Sequence, residues 1–388
     1  MTLFLIVFLS LYGGMHVYVF IRLCGTFAPP RTARLILAAG MLLLTVAPLL
    51  VRLAEGAGLA RTAGWIAWPG YIWMGSIFIF CTTLLASDVV RTVFWAAQRY
   101  FGYTTPGILT GATPFKAALL IALLASVYSL YEARAIRTDH VTITTGKLPP
   151  DVRRIRIAQI SDVHVGLLFP EARLESILQA IRTADPDILV STGDLVDGRL
   201  SRENVISKLD RMAAMFDALP VRGGKFAVTG NHEYYAGLDQ ALEFTRKAGF
   251  TALRNQSAVL PEGITVCGVD DIAWQRMRMP PPAVSEQDLL KAAPVDRFRV
   301  LLKHRPTIEP GSDGSFDLQL SGHVHKGQLF PFNLLVRLSY PIASGTSSTA
   351  NGSTIHVSRG SGTWGPPMRL LAPPEVTVID IVSSAPVR

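Results

Sequence analysis

Residues 154–164 of the chain read RIRIAQISDVH, and this stretch gives the first sign of the fold. Its first seven residues alternate between charged and apolar and then become apolar, which is typical of a β-strand that enters a protein core. Asp162 and His164 follow directly after the strand. Residues two apart on an extended chain point to the same side, so we expect both side chains to reach one metal ion. Taken alone, an Asp-x-His triplet is a weak signal.

The same arrangement, a strand followed by a polar motif, recurs four more times along the chain. The four stretches are ILVSTGD at 188–194, KFAVTGNHE at 225–233, RVLLKH at 299–304 and LQLSGHVH at 318–325. Helical periodicity over residues 171–183 and 203–219 separates the first three strands. Alternating strands and helices predict an α/β sheet, and open sheets of this kind gather ligands beyond the carboxyl ends of their strands. We therefore expect the five motifs to meet at one site.

The side chains at these strand ends have the chemistry of a site for two metal ions. Histidine, carboxylate and one asparagine, without cysteine, form a borderline-hard set that suits Mn, Fe, Zn or Co. Such groups stand in the motifs Asp162-Val-His164, Gly193-Asp194, Asn231-His232-Glu233, His304 and His323-Val-His325. Seven groups are too many for one ion, and they suit two ions that share a carboxylate. Such a pair acts as a clamp for in-line displacement at phosphorus.

With all five motifs present in order, residues 150–370 resemble a calcineurin-like metallophosphoesterase. The stretches GQLFPFNLLVRLSYP at 327–341 and SRGSGTWGPPMR at 358–369 are similar to the membrane-anchored bacterial subgroup of that superfamily. The resemblance implies a four-layer αββα sandwich, in which two β-sheets are flanked by helices. The predicted fold class is therefore α/β, with N-terminal transmembrane helices followed by this sandwich.

The resemblance also implies a role for each site residue. Asp162, His164 and His325 would bind one ion, Asn231, His304 and His323 would bind the other, and Asp194 would bridge them. The ions would be divalent, with manganese favoured, and a hydroxide held between them would attack phosphorus. His232 would stabilise the transition state or protonate the leaving oxygen without binding metal. Asp197 would orient and charge His232.

The N-terminal part of the chain has the composition of a membrane domain. Apolar stretches at residues 3–21, 35–51, 62–87 and 117–131 predict about four transmembrane helices, although the fourth is short. We accordingly predict a membrane domain over residues 1–138 and a metallophosphoesterase domain over residues 139–388. A cleaved signal peptide is the alternative for the first stretch, but it lacks a basic start and a small-residue cleavage site, and further spans follow it.

Charge and cysteine content indicate the partners and the location of the chain. Ten basic and four acidic residues precede residue 140, so about +6 of the net charge of +8 lies in loops that flank the membrane. No basic stripe with interleaved aromatic residues occurs in the globular part, and we expect no nucleic-acid partner. The three cysteines show no paired spacing and do not indicate a compartment.

The expected location is a bacterial inner membrane, with the lipid bilayer as a partner. The distribution of Lys and Arg between the loops favours an extracytoplasmic catalytic domain. The opposite side follows if the fourth stretch does not cross the membrane, because five basic residues come soon after it. The sequence favours no particular oligomeric state.

These features predict a membrane-bound dimetal phosphoesterase that hydrolyses a phosphate ester or phosphoanhydride. Because the enzyme is held at a bilayer, a lipid-linked or nucleotide–lipid substrate is the most natural class. The apolar stretch Phe330–Tyr340 fits an acyl-chain lip beside the metals, and equally fits ordinary core or a hairpin. The alternatives are a membrane sensor or scaffold that only binds a ligand, which the complete ligand set disfavours, and a phosphoprotein phosphatase. The sequence does not separate monoester, diester and pyrophosphate substrates.

Overall fold

Four long apolar helices occupy the N-terminal third of the chain. In the computed structural model, which describes residues 2–198 and 203–384, they are α1 (Thr2–Phe27), α2 (Arg31–Ala57), α3 (Ala60–Phe101) and α4 (Thr113–Glu132). Each is long and apolar enough to cross a bilayer by length and composition. The fourth helix has 20 residues and is thus about 30 Å long, which removes the doubt about its length. With 42 residues, α3 extends over about 63 Å, roughly twice the thickness of the hydrocarbon layer.

Aromatic and charged contacts hold these helices together. The ring of Phe115 in α4 meets the rings of Phe27 in α1 and Phe80 in α3 edge-on, with centroids 5.3 Å apart in both pairs. Near the end of α1, Arg22 forms an ion pair of 2.6 Å with Asp88 of α3. The four helices therefore form a packed unit, which comprises Met1–Tyr131 together with a short segment from much later in the chain.

That later segment is Gly365–Leu370, and it groups with the helices although it lies far from them in sequence. The sulfur of Met368 lies so close to Gly75 that a Cβ atom at Gly75 would approach it to 2.5 Å. Arg369 is fully buried, and its backbone N–H donates to the carbonyl oxygen of Ser129 at 2.9 Å. The sequence analysis assigned this segment to the second domain, because its Gly- and Pro-rich composition indicates only a turn.

The second unit, Glu132–Trp364 with Leu371–Arg388, is built on two six-stranded sheets. Its strands are β1 (Arg137–Thr145), β2 (Arg154–Ile160), β3 (Ile188–Ser191), β4 (Lys225–Ala227), β5 (Thr251–Ala252), β6 (Gln256–Val259), β7 (Ile264–Gly268), β8 (Phe298–Leu302), β9 (Leu318–Ser321), β10 (Gly345–Ser348), β11 (Thr354–Val357) and β12 (Glu375–Ser383). The first sheet has the order β1-β12-β2-β3-β4-β5, and the second has the order β10-β11-β9-β8-β7-β6. β2, β3 and β4 are parallel neighbours in the first sheet, as are β7, β8 and β9 in the second.

The second unit also contains helices, some of which cover the outer faces of its two sheets. They are α5 (Glu171–Ala184), α6 (Glu203–Asp217), α7 (Asn231–Ala236), α8 (Leu238–Lys247), α9 (Ala273–Arg276), α10 (Glu286–Ala292) and α11 (Phe332–Ser339). The predicted boundary after residue 138 falls inside β1, whereas the division between the two units comes after Tyr131. The predicted helices over 171–183 and 203–219 correspond to α5 and α6.

The alternation of apolar residues along the central strands explains the layers. In β2, Ile155 and Ile157 pack between the two sheets against residues such as Val300 of β8. Ala158 and Ile160, on the other face, pack against α5, α6 and α8. A separate cluster packs the second sheet against α10. The order helix, sheet, sheet, helix is the predicted four-layer αββα sandwich.

The stretch Phe330–Tyr340 forms neither a hairpin nor a fully buried part of the core. Phe332–Ser339 forms the helix α11, in which Val336 packs on buried residues of β11 while Leu335 and Leu338 remain exposed. Because this helix has only eight residues, its apolar period is too short to be distinguished in the sequence. Its exposed apolar side chains are consistent with the alternative interpretation, a lip that receives acyl chains.

Candidate metal centre

The five motifs meet where the carboxyl ends of parallel strands from both sheets converge. The loops after β2 and β3 are linked by the N–H of Asp162, which donates to the carbonyl oxygen of Gly193 at 3.0 Å. Across the sheets, Nδ1 of His304 lies 2.8 Å from the carbonyl oxygen of Thr192. Gly322 approaches the loop after β2 so closely that a Cβ atom there would lie 2.3 Å from Oδ2 of Asp162. This contact explains why a glycine precedes the last two histidines.

Asp162, His164 and His325 form the first group of potential ligands. The Nε2 atoms of the two histidines are 3.2 Å apart, and Nε2 of His325 lies 3.4 Å from Oδ1 of Asp162. Ligands bound at about 2.1 Å from one ion lie roughly 3.0–3.4 Å apart at octahedral and tetrahedral angles. The three atoms therefore have the spacing of neighbours around a single ion.

Asp194, His304 and His323 form the second group. Nε2 of His304 lies 3.2 Å from Oδ2 of Asp194 and 3.1 Å from Nδ1 of His323. The same Oδ2 atom lies 3.9 Å from Nε2 of His164 in the first group. Asp194 thus stands between the two groups, in the place of a carboxylate shared by two ions.

Asn231 adds an acceptor that has no hydrogen-bond partner among the residues that the structure describes. It follows β4 as the first residue of α7, and its Oδ1 atom is buried without a hydrogen bond. The next residue along the chain, His232, donates its backbone N–H to Oδ1 of Asp194 at 2.8 Å. A buried amide oxygen left without a donor costs free energy unless a cation or water satisfies it. This orphaned oxygen, together with the ligand spacing, shows that the residues fit divalent ions.

The backbone at the ligands corrects one expectation from the sequence. Asp162 and His164 have φ angles of 52° and 54°, so the chain carrying them is left-handed and the assumed extended conformation is wrong. Three more of the proposed ligands, Asp194, His323 and His325, also have positive φ angles. Residues other than glycine rarely adopt positive φ angles, because their Cβ atom then crowds the backbone. The two side chains still converge, but through loop geometry and not through strand alternation.

Burial and charge set the protonation of the ligands. Burial and the neighbouring His232 lower the pKa of His164 to about 4, so its imidazole is neutral at neutral pH. Burial alone would raise the pKa of Asp194, but the nearby charges of His304 and His232 hold this pKa well below its usual value. Burial raises the pKa of Asp162 to about 6. A neutral imidazole and an ionised carboxylate are the forms that bind metal.

His232 lies beside both groups and is held by Asp197. Nδ1 of His232 is 2.8 Å from Oδ1 of Asp197, which leaves Nε2 on the other side of the ring. Burial lowers the pKa of His232, but Asp194 and Asp197 raise this pKa more, to about 9. Cations bound nearby would lower the pKa again towards neutrality. The ring centroids of Tyr235 and Trp364 lie 5.6 and 5.7 Å from that of the imidazole, so both rings line this part of the site.

Glu233 is a positioning residue that the sequence analysis did not identify. It is buried, and its carboxylate accepts the backbone N–H groups of Asp194, Leu195 and Gly230 at 2.7–3.0 Å. These bonds tie the loop after β3 to the loop after β4. One sequence feature could have identified Glu233. It lies three residues after Gly230, the position at which a glutamate closes a capping box at the start of a helix.

A second pair was also missed. Asp271, to which the sequence analysis assigned no role, binds the guanidinium of Arg305, the residue after His304. Nη1 of Arg305 lies 3.4 Å from Nε2 of His323. The two residues are far apart in sequence, and nothing in their local motifs indicates that they meet.

Comparisons with known proteins show the family of the chain. A sequence profile described as calcineurin-like phosphoesterase matches residues 155–327. An "Uncharacterized metallophosphoesterase" of Aquifex aeolicus (strain VF5) is 40% identical over 68% of this chain and 98% of its own length. A "Transmembrane protein with metallophosphoesterase domain" of Danio rerio is 31% identical over 68% of this chain and 61% of its own length. A dimetal phosphatase crystal structure from Danio rerio matches 53% of this chain and 88% of its own, with 15% identity and a TM-score of 0.38.

On the sequence matches, the chain belongs to the calcineurin-like metallophosphoesterase family, and it is a metal-dependent phosphoesterase hydrolase. Its fold is the predicted αββα sandwich, and its candidate metal ligands lie together at one edge of that sandwich.

Proposed function

We propose that the protein is a membrane-bound dimetal phosphoesterase whose substrate carries its phosphate on a lipid. Asp162, His164 and His325 would hold one ion, and Asn231, His304 and His323 would hold the second. The observation that supports two ions is the position of Asp194, whose Oδ2 atom lies within 4 Å of a histidine from each group. Manganese is the favoured metal, and Fe, Zn and Co suit the same ligands.

The protein side chains divide the chemistry between them. When bound, the ions would polarise the phosphoryl group and lower the pKa of a water held between them. Asp197 fixes the His232 ring through Nδ1 and stabilises its protonated form. His232 can then donate a proton from Nε2 to the leaving oxygen, as a general acid. Glu233 fixes the loops after β3 and β4 relative to each other.

The helix α11 supports a lipid substrate. Leu335 and Leu338 are 58% and 82% exposed on this helix, and Phe332 beside them is also exposed. At the carboxyl end of the helix, the ring of Tyr340 lies 5.6 Å from the ring of His323. An apolar face on this helix, whose carboxyl end leads to Tyr340 beside the second ligand group, would receive acyl chains while the phosphate reaches the ions.

The N-terminal helices support anchoring in a membrane. Four helices in the described part of the chain have the length and composition of spans, and relatives named as transmembrane proteins share the catalytic domain. We place the protein in a bacterial inner membrane, with its catalytic domain on the extracytoplasmic side by the distribution of basic residues. Anchoring would raise the local concentration of a lipid substrate.

The lipid proposal is tested by placing a charge on the exposed face of α11. We expect Leu335→Glu to keep the rate with bis-p-nitrophenyl phosphate, a soluble diester, in Mn²⁺-loaded, detergent-purified protein. With a nucleotide-diphospho-lipid, kcat/KM should fall by roughly 10-fold or more, because burying a leucine is worth about 1.5–3 kcal/mol. Val295→Glu, at another exposed apolar residue, is the matched control and should change neither rate. An equal loss on both substrates would contradict the lipid proposal.

A further inference from the structure

Arg305 is held at the metal centre by a rigid carboxylate. Asp271 is buried and accepts Nε of Arg305 at 2.7 Å and Nη2 at 3.2 Å, which is a two-point contact. Asp271 is itself fixed, because its carboxylate accepts the N–H of Ala273 at 2.8 Å and its own N–H donates to Thr229 at 3.1 Å. The plane of the guanidinium is therefore set by the protein before any ligand binds.

The remaining nitrogen of this guanidinium faces the candidate ligands. Nη1 takes no part in the contact with Asp271, and it lies 3.4 Å from both Nε2 of His323 and the hydroxyl of Tyr340. Both contacts are long for hydrogen bonds, so they satisfy Nη1 poorly. The side chain of Arg305 is 17% exposed, which leaves room for an anion to reach it. Nη1 is thus a fixed cationic donor beside the second ligand group.

A neighbouring pair shows that an arginine held by an aspartate of the loop after β7 need not face the site. Asp270 binds Arg254 through two contacts of 2.8 and 3.0 Å, in the same two-point manner. Arg254 is more exposed, and among the described residues no contact joins it to a candidate metal ligand. Consecutive aspartates therefore hold two arginines, of which Arg305 is the one beside the metal centre.

We propose that Arg305 binds the phosphoryl group of the substrate through Nη1. It would donate to a non-bridging oxygen, and Asp271 and Tyr340 would act as positioning residues that aim it. A guanidinium suits this role, because it keeps its charge at all relevant pH values and binds phosphate oxygens directionally. The inference rests on the phosphoesterase activity of the chain and not on the lipid nature of its substrate.

The test is the binding of inorganic phosphate to full-length, Mn²⁺-loaded protein, measured by titration calorimetry. We expect Arg305→Gln to weaken phosphate binding by roughly 10- to 100-fold, as for the loss of a charge-assisted hydrogen bond. Its metal content by elemental analysis should equal that of the wild type. Arg305→Lys should recover part of the affinity, and the matched control Arg254→Gln should bind phosphate normally.

If Arg305→Gln does not fold because Asp271 is left unpaired, the double substitution Asp271→Asn with Arg305→Gln removes the uncompensated charge and should show the same loss. Wild-type phosphate affinity in either variant would overturn the proposal. Loss of metal together with phosphate would also overturn it, since Arg305 would then only support His323. Phosphate binding is independent of turnover, so a protein inactive on every ester tried would count against the proposed function and not against this role.

Discussion

At the scale of single residues, the metal centre is built on backbone conformations that side chains normally avoid. The five proposed ligands with left-handed backbone are Asp162, His164, Asp194, His323 and His325. Each such residue costs about 1–3 kcal/mol and persists because the surrounding structure holds it. The hydrogen bonds that Glu233 accepts and the close contacts at Gly322 supply part of that support. The surrounding loops therefore hold the ligands in this geometry.

His232 should affect the reaction without affecting metal binding. We expect His232→Asn to keep the wild-type metal content, because its ring is bound to Asp197 and stands outside both ligand groups of our assignment. Its kcat should fall by about 10²–10⁴, and the loss should be smaller with p-nitrophenolate as the leaving group. The control is His140→Asn, at an exposed histidine of β1. Loss of metal in His232→Asn would show that His232 is a ligand.

At the scale of secondary-structure elements, an ion pair supports the pairing of strands β2 and β12. Arg156 and Asp380 are partners in the antiparallel register, and two contacts of 2.8 and 3.0 Å join them. The hydrogen bond from Arg156 is the main cause that lowers the pKa of Asp380, against the effect of burial. A carboxyl whose pKa is lowered by folding stabilises the protein above its ordinary pKa, and this stabilisation is lost as pH falls through the lowered value.

Asp380→Asn should therefore destabilise the protein in a pH-dependent way. At pH 7 we expect a loss of roughly 1–2 kcal/mol in the free energy of unfolding, measured with urea in detergent. The difference from wild type should shrink as pH falls below the ordinary pKa of aspartate, about 4. Asp151→Asn, at an exposed turn, should show little change at any pH. A difference that stays constant down to low pH would contradict the ionic origin of the effect.

At the scale of the whole molecule, the features that could be predicted from the sequence are those that leave a local pattern in it. Strand alternation and helix periodicity predicted an α/β sheet whose motifs meet at one site, and apolar stretches predicted the four long helices. The resemblance carried by the ordered motifs implied the sandwich. Contacts between residues far apart in sequence were not predictable. Examples are the pairing of Asp271 with Arg305 and the grouping of Gly365–Leu370 with the helices. The helix α11 was missed because its eight residues are too few to show a clear helical period.

Membrane anchoring predicts a simple fractionation result. The full-length protein should stay with the membrane pellet after an alkaline carbonate wash and should be released by detergent, because four apolar spans cannot leave the bilayer. A variant lacking residues 1–131 removes the four helices up to the end of the helical unit and should appear largely in the supernatant. Release of the full-length protein by carbonate would contradict the assignment of the helices as spans.

The central claim is that two ions joined by Asp194 carry the hydrolysis. The most direct measurement is the metal content of Mn²⁺-loaded wild type and Asp194→Asn by elemental analysis, together with their rates on bis-p-nitrophenyl phosphate. Because Asn has one oxygen fewer and no charge, the bridge should fail. We predict two ions per chain and turnover in the wild type, and well under two ions and no turnover in Asp194→Asn. Unchanged metal content and rate in Asp194→Asn would contradict the account.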